Sequence, residues 1–143
     1  MVKKLRFDKD FFPCPVADDD ELYPNGIFEF NITKMIKYIQ ENPDEFIFEA
    51  VAVSDFYKSS SINASHLDSV DVGKAVILAE ISPGQYNLID GNHRVAKAVK
   101  MGIKSMQAYK LSAGQHMKFL TTQRGYEAYI EFWNDKRKTL REG

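Results

Sequence analysis

A chain of 143 residues fits one domain, and its 44% hydrophobic and 13% aromatic content supplies a core, which excludes global disorder. No stretch approaches the roughly 20 apolar residues of a membrane span. The basic start, Met1 to Phe7, runs into Asp8 and Asp10 rather than an apolar segment and does not support a signal peptide; the lone Cys14 excludes an intrachain disulfide and a cysteine-built zinc site.

The expected setting is therefore reducing and cytoplasmic. The net charge of −1 conceals a division. Residues 91–143 carry 11 Lys/Arg against 4 Asp/Glu, and residues 1–90 carry 8 against 16. Such a split either marks a polyanion surface on the C-terminal half or reflects solvated lysines that pair with the acidic half.

Residues 1–26 read as irregular. Each proline of Phe11-Phe12-Pro13-Cys14-Pro15 removes a donor and holds its predecessor extended. Asp18-Asp19-Asp20-Glu21 reads as an acidic loop, Tyr23-Pro24-Asn25-Gly26 as a turn, and Ile27, Phe28 and Phe30 as a short strand. Asn31 is a favourable N-cap for a helix from Ile32. Ile32, Met35, Ile36 and Ile39 give that helix one apolar stripe, and Asn42-Pro43 ends it.

The apolar run Phe46–Val53 predicts a buried strand, and residues 55–71 a polar loop with one helical turn at most. Ala75–Ile81 and Tyr86–Ile89 predict a strand pair joined by the turn Ser82-Pro83-Gly84-Gln85. A helix is expected from Asn92 to Met101, with Val95, Ala98, Val99 and Met101 on its apolar face and Gly102 in left-handed geometry after it. Ser105–Leu111 alternates like a further strand. Residues 113–143 read as helical, interrupted at Gly125. The sum is one small α+β domain over residues 1–143.

Chemistry concentrates in Leu88-Ile89-Asp90-Gly91-Asn92-His93-Arg94-Val95-Ala96-Lys97-Ala98. A strand passes through a glycine turn into a helix start, where backbone N–H groups lack partners and carry partial positive charge. Arg94 offers a planar fork for phosphate, His93 a neutral-range acid or base, and Lys97 a third cation one turn on. Asp90 accepts from the turn, from Arg94 or from a ribose hydroxyl. Gly91 lets backbone approach a ligand, and Asn92 caps the helix or touches substrate. The site expected is a phosphate cradle of Gly91, Asn92, His93, Arg94 and Lys97, with His93, Arg94 and Asp90 as the catalytic set if phosphoester hydrolysis occurs. The competing reading is structural: Asp90 and Arg94 form an ion pair that pins the turn, while His93 caps a strand carbonyl.

Residues 75–81, 86–98 and 102–109, with the turn Asp90-Gly91-Asn92-His93-Arg94, resemble the ParB/sulfiredoxin superfamily. Its signature is a strand pair followed by an Asp/Asn-Gly-x-His-Arg-x-x-Ala turn. The resemblance covers about residues 75–111. It implies a small mixed sheet with flanking helices, here followed by a helical C-terminus.

In the partition proteins of that superfamily the turn holds the phosphates of a nucleoside triphosphate, with Mg²⁺. Here that role falls on Gly91, Asn92, His93 and Arg94. In sulfiredoxins a cysteine precedes the His-Arg pair; this chain has Asn92 there, and Cys14 is remote in sequence, which weighs against a reductase. ParB-like nucleases and ATPases carry a similar turn. A nucleotide or a nucleic-acid phosphate is thus the implied partner. The alternative is a non-catalytic nucleic-acid or protein-binding module that uses the basic C-terminal half; no helix-turn-helix follows residue 111.

Four further features stand beside the turn. His66 is a second phosphate contact, a metal ligand or a capped loop histidine. Glu80 orients Arg94, binds Mg²⁺ or is an ordinary strand carboxylate. His116 is expected as a helix cap or surface residue. Tyr126, Tyr129, Phe132 and Trp133 recur at three- and four-residue steps, as core packing or as a docking stripe flanked by Arg137, Lys138 and Arg141. No dense metal cluster is visible in the sequence.

Overall fold

The computed structural model describes residues 3–26, 28–57 and 69–142. The Ile27 strand position and the polar segment 58–68, with His66, lie outside the described residues. A two-stranded ribbon pairs β1 (Leu22–Asn25) with β2 (Phe28–Asn31). The helix α1 (Ile32–Glu41) and the strand β3 (Ile47–Ala52) follow. Then come β4 (Val76–Ser82), β5 (Gln85–Asp90), α2 (Asn92–Lys100) and β6 (Ser105–Leu111). The chain closes with α3 (Ala113–His116), a 3₁₀ turn at Met117–Phe119 and α4 (Gln123–Glu142). The architecture is α+β.

The expected turn at residues 23–26 is instead a strand and a hairpin corner. Leu22–Asn25 pairs with Phe28–Asn31, and among the described residues of this stretch only Gly26, at φ 67°, takes turn geometry. Pro24 is tolerated because a two-stranded ribbon is all edge.

Asn31 caps α1 as expected: its Oδ1 accepts from Lys34 N–H at 3.0 Å. Its Nδ2 also donates to Pro15 O (3.0 Å) and to Asp20 Oδ2 (2.8 Å), which ties the irregular N-terminal segment to the helix. Asp20 accepts from Ala17 N–H and Lys34 Nζ as well, and these donors, Asn31 foremost, hold its carboxyl down at about 2.

The main sheet runs β3-β6-β4-β5, with β4 and β6 parallel and both outer pairs antiparallel. β4 is buried on both faces. Its Val76 and Leu78 meet Val95 and Ala98 of α2 together with Met106 and Ala108 of β6. Its Ile77, Ala79 and Ile81 face the larger core of Phe30, Met35, Leu111, Tyr129 and Ile130. Two covered faces explain why residues 76–81 read as an apolar run broken only at Glu80.

Three expectations need correction. β3 is apolar but not buried: it is one of the two edge strands of the main sheet, with Ile47 55% and Phe48 52% exposed. On α2, Val95, Ala96 and Ala98 are buried, while Val99 and Met101 are exposed, because the short alanine side chains let that flank lie against the sheet. Gly125 breaks no helix. The interruption falls at Leu120, extended at ψ 133° and bridged to Phe30, and Thr122 Oγ1 caps α4 by accepting from Gly125 N–H at 2.9 Å. Gly102 takes the left-handed geometry expected of it, φ 77°.

Candidate functional site

β5 delivers Asp90 opposite Ile77 of β4, and α2 begins two residues later. Gly91, not Asn92, is the N-cap residue, at φ 114°, and Asn92 is the first helical residue. A Cβ on Gly91 would lie 2.5 Å from Val76 Cγ1 and 3.0 Å from its Cβ. The glycine is therefore required by its close approach to β4, where the sequence reading assigned that approach to a ligand. Gly91 O accepts from Val95 N–H at 3.0 Å, and the N–H groups of Asn92, His93 and Arg94 precede the first intrahelical bond.

The Arg94 guanidinium is held on two sides. Nη2 donates to Asp90 Oδ2 at 2.9 Å, and Nη1 donates to Ala75 O just before β4. Both charged side chains are largely buried. The ion pair of the structural reading is thus present, and it sews the start of β4 to the end of β5. Two of the five guanidinium N–H donors are used there, and the others retain capacity.

Lys97 reaches away from the turn, its Nζ donating to Val70 O at 2.7 Å. His93 is exposed, and Asn92 is half-buried.

Beside the ion pair lies a hollow of about 430 Å³. Arg94, Asp90 and Lys74 stand at one part of its wall, and Ile36, Ile39 and Ile77 supply apolar wall. Phe48 and Tyr109 add rings with centroids 4.6 Å apart. Gln40 and Ala75 complete the lining. Gly91, Asn92, His93 and Lys97 are not part of it. The sequence reading missed Lys74, Phe48, Tyr109 and Gln40. Lys74 had a signal, since it sits just ahead of the strand that pairs with Asp90. The others come from β3, β6 and α1, which no local motif links.

His116 is the other correction. It is fully buried, between the rings of Phe30 and Tyr129. Its Nε2 donates to Glu80 O at 2.7 Å, and Tyr129 Oη donates to the same carbonyl at 2.6 Å. Nδ1 is buried without a partner. Burial pushes the imidazolium down to about 4, so this ring is a neutral donor. The same burial drives the Tyr129 phenol up.

Glu80 accepts from Gly84 N–H at 2.9 Å and braces the β4–β5 turn, while Arg94 takes Asp90 and Ala75 as partners. Cys14 is a buried core residue whose thiol is raised by desolvation. Tyr126, Tyr129 and Trp133 are core, and Phe132 lies at its exposed margin. Among the described residues, no three His, Cys, Asp or Glu side chains are grouped to hold a metal ion. Among the described residues, no helix is long and apolar enough to cross a membrane.

No protein-family model, no curated protein and no solved structure matches the chain. The likeness to the ParB/sulfiredoxin superfamily rests on the motif residues themselves.

Proposed function

We propose that this chain is a ParB-like binding domain that holds a nucleotide or a nucleic-acid phosphate at the Asp90–Arg94 turn. One observation carries the reading: a guanidinium fixed by Asp90 and Ala75 O shares a nucleotide-sized hollow with the exposed Lys74 and two aromatic rings. A fixed fork binds an oxyanion without losing rotamer freedom at that moment. Phe48 and Tyr109 offer ring faces to a base. A triphosphate would bring Mg²⁺ with it, and Asp90, whose Oδ2 accepts from Arg94, is the carboxylate in the lining.

The proposal stops at binding. The Asp90 carboxylate is engaged by Arg94, and His93 stands outside the hollow, so the expected hydrolytic trio does not face one reacting atom.

Thermal unfolding with a panel of nucleotides and a short oligonucleotide tests this. A ligand at 100 times its dissociation constant adds about 2.7 kcal/mol. That shift disappears in Arg94→Gln and in Lys74→Ala, an exposed residue whose loss leaves the fold intact. If no ligand raises the unfolding temperature, or both variants keep the full shift, the reading fails. An oligonucleotide shift that survives Lys74→Ala and Arg94→Gln and falls steeply with salt moves the site to the exposed Lys136 and Lys138 of α4.

A further inference from the structure

β3 carries Ile47-Phe48-Glu49-Ala50-Val51-Ala52 at the margin of the sheet, with β6 as its only strand neighbour among the described residues. Exposed margins in proteins are usually blunted by lysine, proline, a bulge or extreme shortness. This one has none of these; its single charge, Glu49, is paired with Lys110 of β6. Its six residues pair with β6 in unbroken register, and only Val51 of the six is even partly covered.

The hydrogen-bond phase of the margin follows from one bond. Val53 N–H donates to Lys104 O at 3.0 Å, in continuation of the β3–β6 register. Antiparallel pairs alternate between bonded and non-bonded. Val51, Glu49 and Ile47 therefore bond inward to β6. The N–H and C=O groups of Phe48, Ala50 and Ala52 point outward.

Only even-numbered residues thus offer bonds at the margin, and a second copy of the strand can meet them antiparallel in few registers. With Glu49 on the twofold axis, two carboxylates oppose each other directly, which is unfavourable. With Val51 on the axis, the overlap shortens. With Ala50 on the axis, Phe48 faces Ala52 of the second copy, Ala50 faces Ala50, and Glu49 faces Val51. All three outward residues are then bonded in both directions. A large ring opposes a small methyl, and each Glu49 keeps its own Lys110, 2.9 Å away.

We propose that two copies of this chain join through β3, continuing the sheet antiparallel across a twofold axis at Ala50. The isologous pairing consumes the β3 margin of both copies, so growth through this strand closes at a dimer. A six-residue strand contact is small, which places the dimer among weak, transient associations.

Sedimentation velocity over a wide concentration range measures it. The expected result is a reversible monomer–dimer equilibrium. Ala50→Pro leaves the β3–β6 ladder intact, because the N–H it removes points outward, and it weakens the dimer about tenfold or more. A cysteine variant checks the register. Cα atoms of a bonded pair lie about 5.5 Å apart, within disulfide reach. A50C therefore cross-links to itself under mild oxidation. Q107C, on β6 behind it and three strand spacings (about 14 Å) from its counterpart, does not. Wild-type chain, with Cys14 buried, is the blank. A monomer at every concentration, a dimer indifferent to Ala50→Pro, or equal cross-linking of both cysteine variants overturns the proposal.

Discussion

β3 and β4 are close in composition and opposite in circumstance. Both are short, apolar and interrupted by one glutamate. β4 lies between β6 and β5 with a helical layer on each face, whereas β3 has one strand neighbour and stands open to solvent. The comparison teaches that an apolar run reports the capacity for burial, and that sheet order decides whether the capacity is used. It also separates two kinds of backbone accounting. β4 spends even its spare carbonyl capacity, with Glu80 O taking both His116 and Tyr129. The outward groups of β3 have no protein partner among the described residues.

The largest expected effect breaks the comparison most directly. Leu78→Ala in β4 empties a fully buried site and costs about 3 to 5 kcal/mol, while Ile47→Ala in β3 costs less than about 1 kcal/mol. Urea unfolding of both variants measures the contrast, and near-equal losses would mean that β3 is covered in solution.

Second in size is the pH response of the histidine bonded to β4. His116 holds its proton less tightly folded (about 4) than unfolded (6.5), so the unfolded chain binds more protons between these values. Stability is therefore complete above 6.5 and falls as pH drops towards 4, by roughly 3 kcal/mol. Below 4 the loss passes to Asp20, whose depressed carboxyl contributes stability that vanishes as pH falls from 3.8 towards 2. His116→Leu flattens the 6.5-to-4 segment of the stability profile; an unchanged slope in that variant refutes the assignment.

The smallest of the three effects concerns the turn that meets β4. Gly91→Ala places a methyl against Val76 at a backbone angle that disfavours side chains, for a loss of about 2 to 3 kcal/mol. Val76→Ala removes the 2.5 Å clash with Cγ1 but leaves the 3.0 Å approach to Cβ and the backbone strain, so the double variant recovers only part of the loss relative to Val76→Ala alone. Simple additivity in denaturant unfolding would show that the two residues do not touch.

Much of the local structure is legible in the sequence. Asn31 announced α1, because a cap acts within three residues. The Gly102 stop, the β4–β5 turn and the alternation of β6 were equally local. The Asp90–Arg94 pair was readable too, since residues four apart across a helix start face each other. What could not be read was which face each element turned and what stood opposite. His116 looks like a helix-end histidine in sequence, yet it lies at the centre of the larger core because α3 packs against β4.

The hollow has the same origin. Its cations, Lys74 ahead of β4 and Arg94 in α2, are brought together by the β4–β5 pair, and its rings come from β3 and β6, brought into register only by the sheet. Sequence by itself determined caps, turns, the apolar runs and the charged turn at 90–94, because those depend on neighbours within a few residues. Tertiary structure alone decided which run became the margin of the sheet, which histidine was desolvated and where Arg94 spends its donors. Burial and electrostatics depend on what lies across space, and no short window of sequence contains that.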